Sequence, residues 1–464
     1  MARPALLTGM VEKRMRHVGR AAGFAALATA AAMLAACGQD SDASRVVPSF
    51  YDPPQPLPLA APGTVIRAQG VDGSPPGVRA ERILYHSRTN TGEDMATSGL
   101  LMVPAGDPPP GGFPLVAAAH GTTGAVQACA PSIAPFDPNP QLPDGLSFYQ
   151  FLYQPWLEAG YAVVGADYQG LGAPGSPGYL VGTIEGQNVL DAARAAHARE
   201  AAIGGELFFF GHSQGGHAAG FAAQIAPSYA PELNPIGTIL AAPAANLTDL
   251  IPLAFSTGPD AVTPPEAVVF LYLAALSYQV AYPELTIEEL LKEPYGFRAL
   301  PIFGNVCAVT GGTPVGVNQL LDAVIPVGLP FRPIDFFIDY TEFPPPWTAR
   351  IDQNDLGGEP IDSPILMVQG CADTTIPIAT NFAYFENTLC PTGETADFRT
   401  YPGQTHSGVV IAAFPDVIAW ANDRRAAIPA PTNCGAPPIC PSAIERQTSI
   451  GRPSFSASQP RAMR

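Results

Sequence analysis

One short segment places a serine in a setting that makes a hydroxyl reactive. Residues 211–216 read GHSQGG, which contains the G-x-S-x-G pattern with Ser213 at its centre. The apolar run Leu207–Gly211 precedes the serine and an alanine-rich stretch follows it, which indicates a strand–turn–helix junction. Such a turn requires small residues on either side of the serine. The pattern predicts that Ser213 is a nucleophile and that the backbone N–H of Gln214 binds an oxyanion.

A serine hydroxyl needs a base, and His406 is the histidine best placed to serve as one. The chain has seven histidines, and this one lies in a loop, 403–408, between a predicted strand and the last predicted helix. A third group must orient the imidazole. Asp373 follows the apolar run Pro364–Gln369 and precedes the histidine, which is the order serine, acid, histidine. We predict Asp373 as the acid and His406 as the base.

A second oxyanion donor is expected in a loop that follows an earlier strand. The segment Ala119–Gly124 ends an apolar run and contains a His-Gly pair, which allows close approach of the backbone. Thr122 is the predicted donor, with Gly121 and Thr123 as alternatives. Another glycine-rich segment, Gly170–Gly175, matches a phosphate-binding pattern. Two prolines prevent the helix that such a site needs, so we interpret it as a loop.

Strands and helices alternate along the segments that carry these residues. Some predicted strands are apolar throughout, as strands covered on both faces are. The predicted strands are Arg82–Ser87, Thr97–Val103, Phe113–His120, Tyr161–Asp167, Leu207–Gly211, Ile236–Ala242, Pro364–Gln369 and Asp397–Tyr401. The predicted core helices are Thr183–Ala202, Gln214–Ile225 and Ser407–Asn422. This alternation predicts an α/β fold with a mostly parallel central sheet and helices on both faces.

The alternation breaks between residues 246 and 350, where helical stretches such as Pro265–Ala281 and Ile287–Lys292 occur. We interpret residues 246–350 as an inserted helical cap. We predict that residues 63–245 and 351–425 form the two parts of the core, and that residues 426–464 form a tail rich in Pro and Ser. The last part of that tail is expected to be disordered.

The N-terminal residues 1–36 have the features of a signal peptide. Basic side chains precede the apolar run Ala21–Ala36, which is too short to span a bilayer comfortably. Leu34–Cys37 resembles a bacterial lipobox, so we predict cleavage before Cys37 and attachment of lipid to its thiol; an ordinary signal peptide is the alternative. Residues 37–62 then form a tether. Gly38 rather than Asp follows the cysteine, so the usual inner-membrane retention signal is missing, which favours the outer membrane in a host with two membranes. We therefore predict an exported, membrane-anchored lipoprotein, at the outer membrane or cell surface or facing the periplasm rather than in the cytoplasm.

Composition excludes other classes of partner. The chain carries 23 basic and 40 acidic side chains, for a net charge of −17, which would repel a nucleic acid. Six cysteines remain after Cys37, and an even number in an exported chain suggests disulfides. Cys434 and Cys440 are close enough in sequence to pair with each other. Because no C-x2-C or nearby His pair accompanies them, we expect no metal site, and no cofactor is indicated.

Taken together, the motifs resemble the secretory lipase family, the fungal lipase A type within the α/β-hydrolase superfamily. The resemblance runs from about Ser49 to Arg425 and is carried by the elbow at 211–216, by Gly370-x-x-Asp373 and by Gly403-x-x-His406. One departure is the early loop at 120–124, which lacks the aspartate of the fungal lipases. The resemblance implies an α/β-hydrolase with a helical cap, hydrolysis of lipid or other carboxylic esters, and a bridge between Cys129 and Cys307.

These observations favour a lipid-anchored serine ester hydrolase that cleaves uncharged acyl esters through an acyl-enzyme. Its expected partners are an ester substrate and the membrane that holds its anchor. A serine peptidase of the same fold is one alternative, and a non-catalytic binding lipoprotein of the cell surface is another.

Overall fold

The structure is a computed structural model that describes residues 47–139, 142–256, 266–303, 307, 332–436 and 440. The predicted signal peptide at 1–36, the lipidation site Cys37 and the end of the predicted tail at 441–464 lie outside the described residues.

Nine strands of the described residues form one sheet. They are β1 Val65–Gly70, β2 Val78–Arg88, β3 Asp94–Pro104, β4 Phe113–Ala119, β5 Ala162–Ala166, β6 Ile203–His212, β7 Pro235–Ala241, β8 Ile365–Gly370 and β9 Ala396–Tyr401. Their order across the sheet is β1-β2-β3-β5-β4-β6-β7-β8-β9. The pairs β1–β2, β2–β3 and β3–β5 are antiparallel, and all pairs from β5 onward are parallel. The predicted mostly parallel sheet is therefore confirmed.

Eleven α-helices lie among the described residues. They are α1 Gln154–Glu158, α2 Gly182–Arg199, α3 Gln214–Tyr229, α4 Leu247–Ala254, α5 Glu266–Ala281, α6 Tyr295–Phe303, α7 Pro333–Phe336, α8 Pro345–Gln353, α9 Ile378–Tyr384, α10 Cys390–Thr392 and α11 Gly408–Arg425. Short 3₁₀ or π turns occur at Ser49–Tyr51, Gln127–Cys129, Pro131–Ile133, Pro143–Gly145, Tyr149–Tyr153, Ile287–Glu289, Tyr340–Glu342 and Phe385–Leu389. None of these helices is long and apolar enough to cross a membrane.

The strand sequences explain their positions in the sheet. Every residue of β4 (FPLVAAA) and β5 (AVVGA) is buried, because helices cover both faces of the sheet there. Helices α2 and α3 pack on one face through residues such as Val189 and Ala219. Helices α1 and α11 pack on the other through Trp156 and Trp420. The central strands therefore sit rigidly between two apolar layers.

Strand β1 was not predicted from the sequence. It reads VIRAQG and is half-buried or exposed along its length, so it lacks the apolar run that marks the central strands. It pairs with β2 at the edge of the sheet. Edge pairing depends on backbone hydrogen bonds more than on side-chain burial, which is why the pattern of side chains did not reveal it.

The chain between β7 and β8 forms a separate apolar cluster. Helices α4 to α8 pack around Tyr272, Leu273, Phe336 and Trp347. The predicted helical stretch Ile287–Lys292 is wrong as a helix: it is a single 3₁₀ turn at Ile287–Glu289. The chain leaves the helical path because Lys292 N–H donates to the Phe336 carbonyl, and Leu291 forms a β-bridge with Phe337.

Three disulfides join the six cysteines that follow Cys37. Cys129 pairs with Cys307, as the family resemblance implied. Cys434 and Cys440, which are close enough in sequence to pair, do not pair with each other: Cys390 pairs with Cys434 and Cys371 with Cys440.

The first part of the C-terminal tail explains this difference. The Asn433 side chain exchanges two hydrogen bonds with the backbone of Phe398 in β9, at 2.9 and 2.8 Å. This contact holds the chain along the sheet edge and sets Cys434 against Cys390, the first residue of α10. The tail is thus fastened to the core by two covalent links.

Candidate active site

Ser213 occupies a strained position at the junction of β6 and α3. Its backbone angles are φ 60° and ψ −121°, a conformation that costs a residue with a side chain about 1–3 kcal/mol. The surrounding backbone holds it there: Ser213 N–H donates to Ala241 O at 2.9 Å, and Ala244 N–H donates to Ser213 O at 3.2 Å. This geometry lifts the hydroxyl away from the end of the sheet.

The glycines of the elbow are required by close backbone packing. A Cβ atom on Gly211 would overlap the carbonyl of Gly215. A Cβ atom on Gly215 would overlap the carbonyl of Ala119 at the end of β4. The small residues predicted beside the serine are therefore the ones that let α3 start directly against β4.

Asp373 and His406 form a hydrogen-bonded pair. The His406 Nδ1–H donates to Asp373 Oδ2 at 2.8 Å. The same carboxylate accepts from Gln369 Nε2 at 2.9 Å and, through Oδ1, from the backbone N–H groups of Thr375 and Ile376, both at 2.9 Å. These bonds fix the carboxylate and therefore the imidazole. The opposite ring atom, Nε2, is buried and has no hydrogen-bond partner among the described residues.

His212 packs beside His406 rather than beside the serine hydroxyl. The two rings are 4.5 Å apart, and His212 Nε2–H donates to the His406 carbonyl at 3.0 Å. Burial, followed by the proximity of His406, holds the pKa of His212 well below its usual value. A neutral His212 can lie next to His406 without opposing a positive charge on that ring.

The three predicted residues lie at one edge of the sheet because their strands are parallel and close in its order. Strands β6 and β8 flank β7, β9 follows, and the loops that carry Ser213, Asp373 and His406 all emerge from the same edge of the sheet. All three side chains are buried. Ser213 and the segment Thr374–Pro377, next to the acid, line one cavity. The structure therefore places Ser213 and the hydrogen-bonded Asp373–His406 pair at the same edge of the sheet.

The loop after β4 lies against the start of α3. Thr122 is buried, and its hydroxyl is 3.0 Å from the hydroxyl of Tyr179. The His120 ring lies 2.6 Å from the Gly121 carbonyl, and burial lowers the pKa of His120 to about 4, so the ring is neutral. Thr122 therefore contacts Tyr179, which lines the cavity over Ser213 together with Gln214.

The cavity over Ser213 is apolar. Helices α4 and α5, which follow β7, supply half of its wall. No described residue that lines the cavity carries a charge. The lining is Tyr179, Leu180, Ser213, Gln214, Ala244, Leu247, Leu250, Ile251, Leu253, Ala254, Ala267, Phe270, Leu271, Ala274, Thr374, Thr375, Ile376 and Pro377. Such a wall suits an uncharged, hydrophobic group.

Sequence reasoning missed a second set of residues at this site. Glu185 and His217 are fully buried next to Gln214, with a contact of 2.9 Å between Glu185 Oε2 and His217 Nδ1. The signal available was an acidic residue in the first turn of an otherwise buried helix, α2. Within the described ranges, no group of three His, Cys, Asp or Glu side chains is placed to hold a metal ion.

Comparison with known proteins agrees with this geometry. A sequence model of the secretory lipase family matches residues 147–255, which include the elbow. Lipase A of Arthroderma benhamiae is 25% identical over 83% of this chain and 80% of its own length. A probable inactive lipase of Mycobacterium tuberculosis is 30% identical over 43% of this chain, and that match spans about half of the relative, 45%.

Solved structures share the fold. Candida antarctica lipase A in its closed state superposes with a TM-score of 0.65 at 20% identity, over 86% of this chain and 90% of its own. The rice cell wall degrading esterase LipA of Xanthomonas oryzae superposes with a TM-score of 0.60 at 19% identity, over 79% and 98%. The elbow, the sheet order and these superpositions identify an α/β-hydrolase fold, and the chain is similar to the secretory lipase family over residues 147–255.

Proposed function

We propose that this protein is a serine ester hydrolase. Ser213 Oγ attacks the ester carbonyl carbon while His406 Nε2 takes its proton, and Asp373 stabilises the imidazolium that forms. The backbone N–H groups of Gln214 and Thr122 bind the oxyanion. His406 then gives the proton to the leaving alcohol, which leaves an acyl-enzyme. Water, activated by the same histidine, releases the acid and restores Ser213.

One observation carries this proposal. The imidazole of His406 is fixed through Nδ1 on Asp373, while Nε2 remains without a partner among the described residues. Ser213 stands in a strained conformation on the wall of a cavity that the acid loop also lines. A histidine held in this tautomer beside such a serine is equipped to accept its proton.

The cavity supports an uncharged acyl ester as the substrate. Its wall is apolar, and no described residue there could bind the charged amine of a peptide. Several relatives are named lipases, and the Xanthomonas protein is named an esterase. One relative is named a probable inactive lipase, but the present chain has a serine in the elbow and a hydrogen-bonded Asp373–His406 pair, which supports activity.

Two further proposals concern the rest of the chain. Residues 246–350 act as a cap that covers Ser213, since α4 and α5 form the cavity wall opposite the core. Cys37 carries the lipid that anchors the mature protein to the outer membrane or cell surface, as the Leu34–Cys37 sequence indicates. Three disulfides fit an exported protein.

The central test replaces the nucleophile. Ser213→Ala is expected to lower kcat for p-nitrophenyl butyrate by about 10⁶-fold without unfolding the protein. A fluorophosphonate probe should label the parent and not the variant. Ser228→Ala, on the exposed end of the same helix, is the matched control and should retain activity and labelling.

Three outcomes would contradict the proposal. Turnover or labelling retained in Ser213→Ala would remove the serine mechanism. A parent that fails to react with the probe would be a binding protein. Faster hydrolysis of aminoacyl-anilides than of esters would make it a peptidase.

The anchor is tested separately. Cys37→Ser removes the thiol to which lipid attaches and should move the protein from the membrane fraction to the soluble fraction. Metabolic labelling with a radioactive fatty acid should mark the parent alone. A variant that is still lipidated and membrane-bound would exclude Cys37 as the site.

A further inference from the structure

Three hydrogen bonds hold one buried ion pair beside the proposed oxyanion site, and a fourth joins its two members. Glu185 Oε1 accepts from Gln214 Nε2 at 2.6 Å and from the backbone N–H of Leu180 at 2.9 Å. Glu185 Oε2 contacts His217 Nδ1 at 2.9 Å, and His217 Nε2–H donates to the Asn354 carbonyl at 2.8 Å. Both members of the pair are fully buried. Burying a carboxylate costs free energy unless other groups bind it, so the groups that bind Glu185 indicate its structural role.

The ring of His217 faces an oxygen atom at each nitrogen. Both contacts are hydrogen bonds only when a proton lies between Nδ1 and Oε2 and another lies on Nε2. The pair is then neutral overall. A neutral pair can stand near a developing oxyanion without repelling it, which an unpaired carboxylate could not do.

One arm of this network reaches Gln214 directly. Gln214 is the first residue of α3, where backbone N–H groups have no partner within the helix and point out of its end. Its side chain is tied back to Glu185, on helix α2. Helix α2 can approach α3 this closely because Gly182 and Gly186 leave room for Phe221 and Ala222.

The other arm reaches the loop after β4. Glu185 fixes the backbone of Leu180, which has a left-handed φ of 54°. The preceding residue, Tyr179, contacts the Thr122 hydroxyl at 3.0 Å. From the opposite side, Ser277 Oγ accepts from Tyr179 N–H at 3.1 Å and Tyr278 OH donates to Leu180 O at 3.1 Å. The segment 179–180 is thus held between the core and helix α5.

We propose that Glu185, paired with His217, is a positioning residue that holds both walls of the oxyanion site, Gln214 directly and Thr122 through Tyr179 and Leu180. This inference rests on the proposed ester hydrolysis, because it concerns the geometry in which that reaction's oxyanion is bound. Glu185 does not touch the substrate. It acts by keeping two backbone donors at the separation that the tetrahedral intermediate requires.

The helix that carries Glu185 supplies a matched control. Asp191 is also fully buried on α2 and makes three hydrogen bonds, to Ser87, Tyr229 and Arg194. None of those partners lines the cavity over Ser213. Loss of Asp191 should therefore destabilise the protein without displacing the oxyanion donors.

The test compares Glu185→Ala, Glu185→Gln and Asp191→Ala in the full chain. Glu185→Ala should lower kcat about 10–100-fold, less than loss of a whole donor, with KM changed less than about threefold. It should slow fluorophosphonate labelling by a similar factor, because the phosphoryl oxygen enters the same site. Glu185→Gln can accept at Oε1 and donate to His217, so it should keep kcat within about threefold of the parent. Asp191→Ala should lower the melting temperature and leave kcat unchanged.

Several results would overturn the inference. Parental kcat in Glu185→Ala would show that the pair positions nothing. An equal loss in Glu185→Gln would show that charge, not position, matters. If Glu185→Ala does not fold, Gln214→Met removes the tied amide but keeps the backbone donor, and should still lower kcat; parental kcat there would also overturn it. The Ser213→Ala variant separates the two proposals. If Ser213→Ala retains activity, ester hydrolysis by Ser213 is refuted. If Ser213→Ala loses activity while Glu185→Ala keeps the parental kcat, only the positioning role is refuted.

Discussion

The core and the cap segment, residues 246–350, contribute opposite chemistry to one cavity. The core supplies buried polar groups, each fixed by several hydrogen bonds, as Asp373 and Glu185 are. The cap segment supplies apolar side chains from α4 and α5. The sheet positions the residues that we propose to react, while α4 and α5 shape the cavity that we propose to bind the substrate. The comparison indicates that changes in the core should act on kcat and changes in the cap segment on KM.

The largest expected effect is on the acid of the core. Asp373→Asn should lower kcat by about 10⁴-fold, because the amide no longer holds the His406 tautomer or stabilises its positive charge. KM and the free energy of unfolding should change little. Ester turnover with active-site titration measures this. Asp397→Asn, at the start of β9 and bonded to Arg399, is the control that should remain active. An equal loss of kcat in the two variants would contradict the assignment of Asp373 as the acid.

The disulfides offer a test of how the two regions are joined. Cys129–Cys307 links the core to the cap segment across 178 residues, and its loss should lower the free energy of unfolding by about 5 kcal/mol in the chain-entropy model. Cys390–Cys434 lies within the core and tail across 44 residues and should contribute about 4 kcal/mol. Only the loss of Cys129–Cys307 should also lower esterase activity. Denaturant melts and turnover of the two Cys-to-Ser double variants would sharpen the comparison; identical effects on activity would contradict it.

A buried carboxylate should make the core sensitive to pH. Burial raises the pKa of Asp167 from 3.8 to about 6, although Ser132 and Ser98 donate to it. The folded state then binds a proton that the unfolded state has released, so the free energy of unfolding falls as pH rises from about 4 to about 6 and is level above that. The rise in pKa corresponds to about 3 kcal/mol. Asp167→Asn should flatten this slope in urea melts, whereas exposed Asp423→Asn should not. An unchanged slope would show that Asp167 is not its source.

The smallest effect is expected in the wall of the cap segment. Phe270 on α5 lines the cavity, and burying such a side chain contributes about 1.5–3 kcal/mol. Phe270→Ser should raise KM for p-nitrophenyl octanoate about 10-fold, with little change in kcat and little effect on the acetate ester. Val280→Ser, at an exposed position of the same helix, is the control. A fall in kcat for both esters would show that Phe270 affects the position of the reacting groups, and would contradict the separate roles of the core and the cap segment.

Local sequence was sufficient to predict the groups that we propose to react. The elbow around Ser213 is a strand, a tight turn and a helix in unbroken succession, and each has its own pattern of residues. Asp373 was predicted because it follows the apolar strand β8, and His406 because it lies in a loop between a predicted strand and the last helix. Strands such as β4 and β5 are apolar throughout because both of their faces are covered, so their residue types alone predict that they are buried.

Contacts between distant segments were decided by the tertiary structure alone. Nothing near Cys434 in the chain indicates Cys390 as its partner, since the pairing depends on the tail lying along β9. The edge strand β1 is defined by its hydrogen bonds to β2, and its side chains carry no such signal. Glu185 became part of the site only because α2 packs against α3 through glycines and brings it to Gln214 and His217. Periodicity along a chain reports which face of an element is buried, but a hydrogen bond between two buried side chains depends on how whole elements dock, and that is fixed only when the core closes.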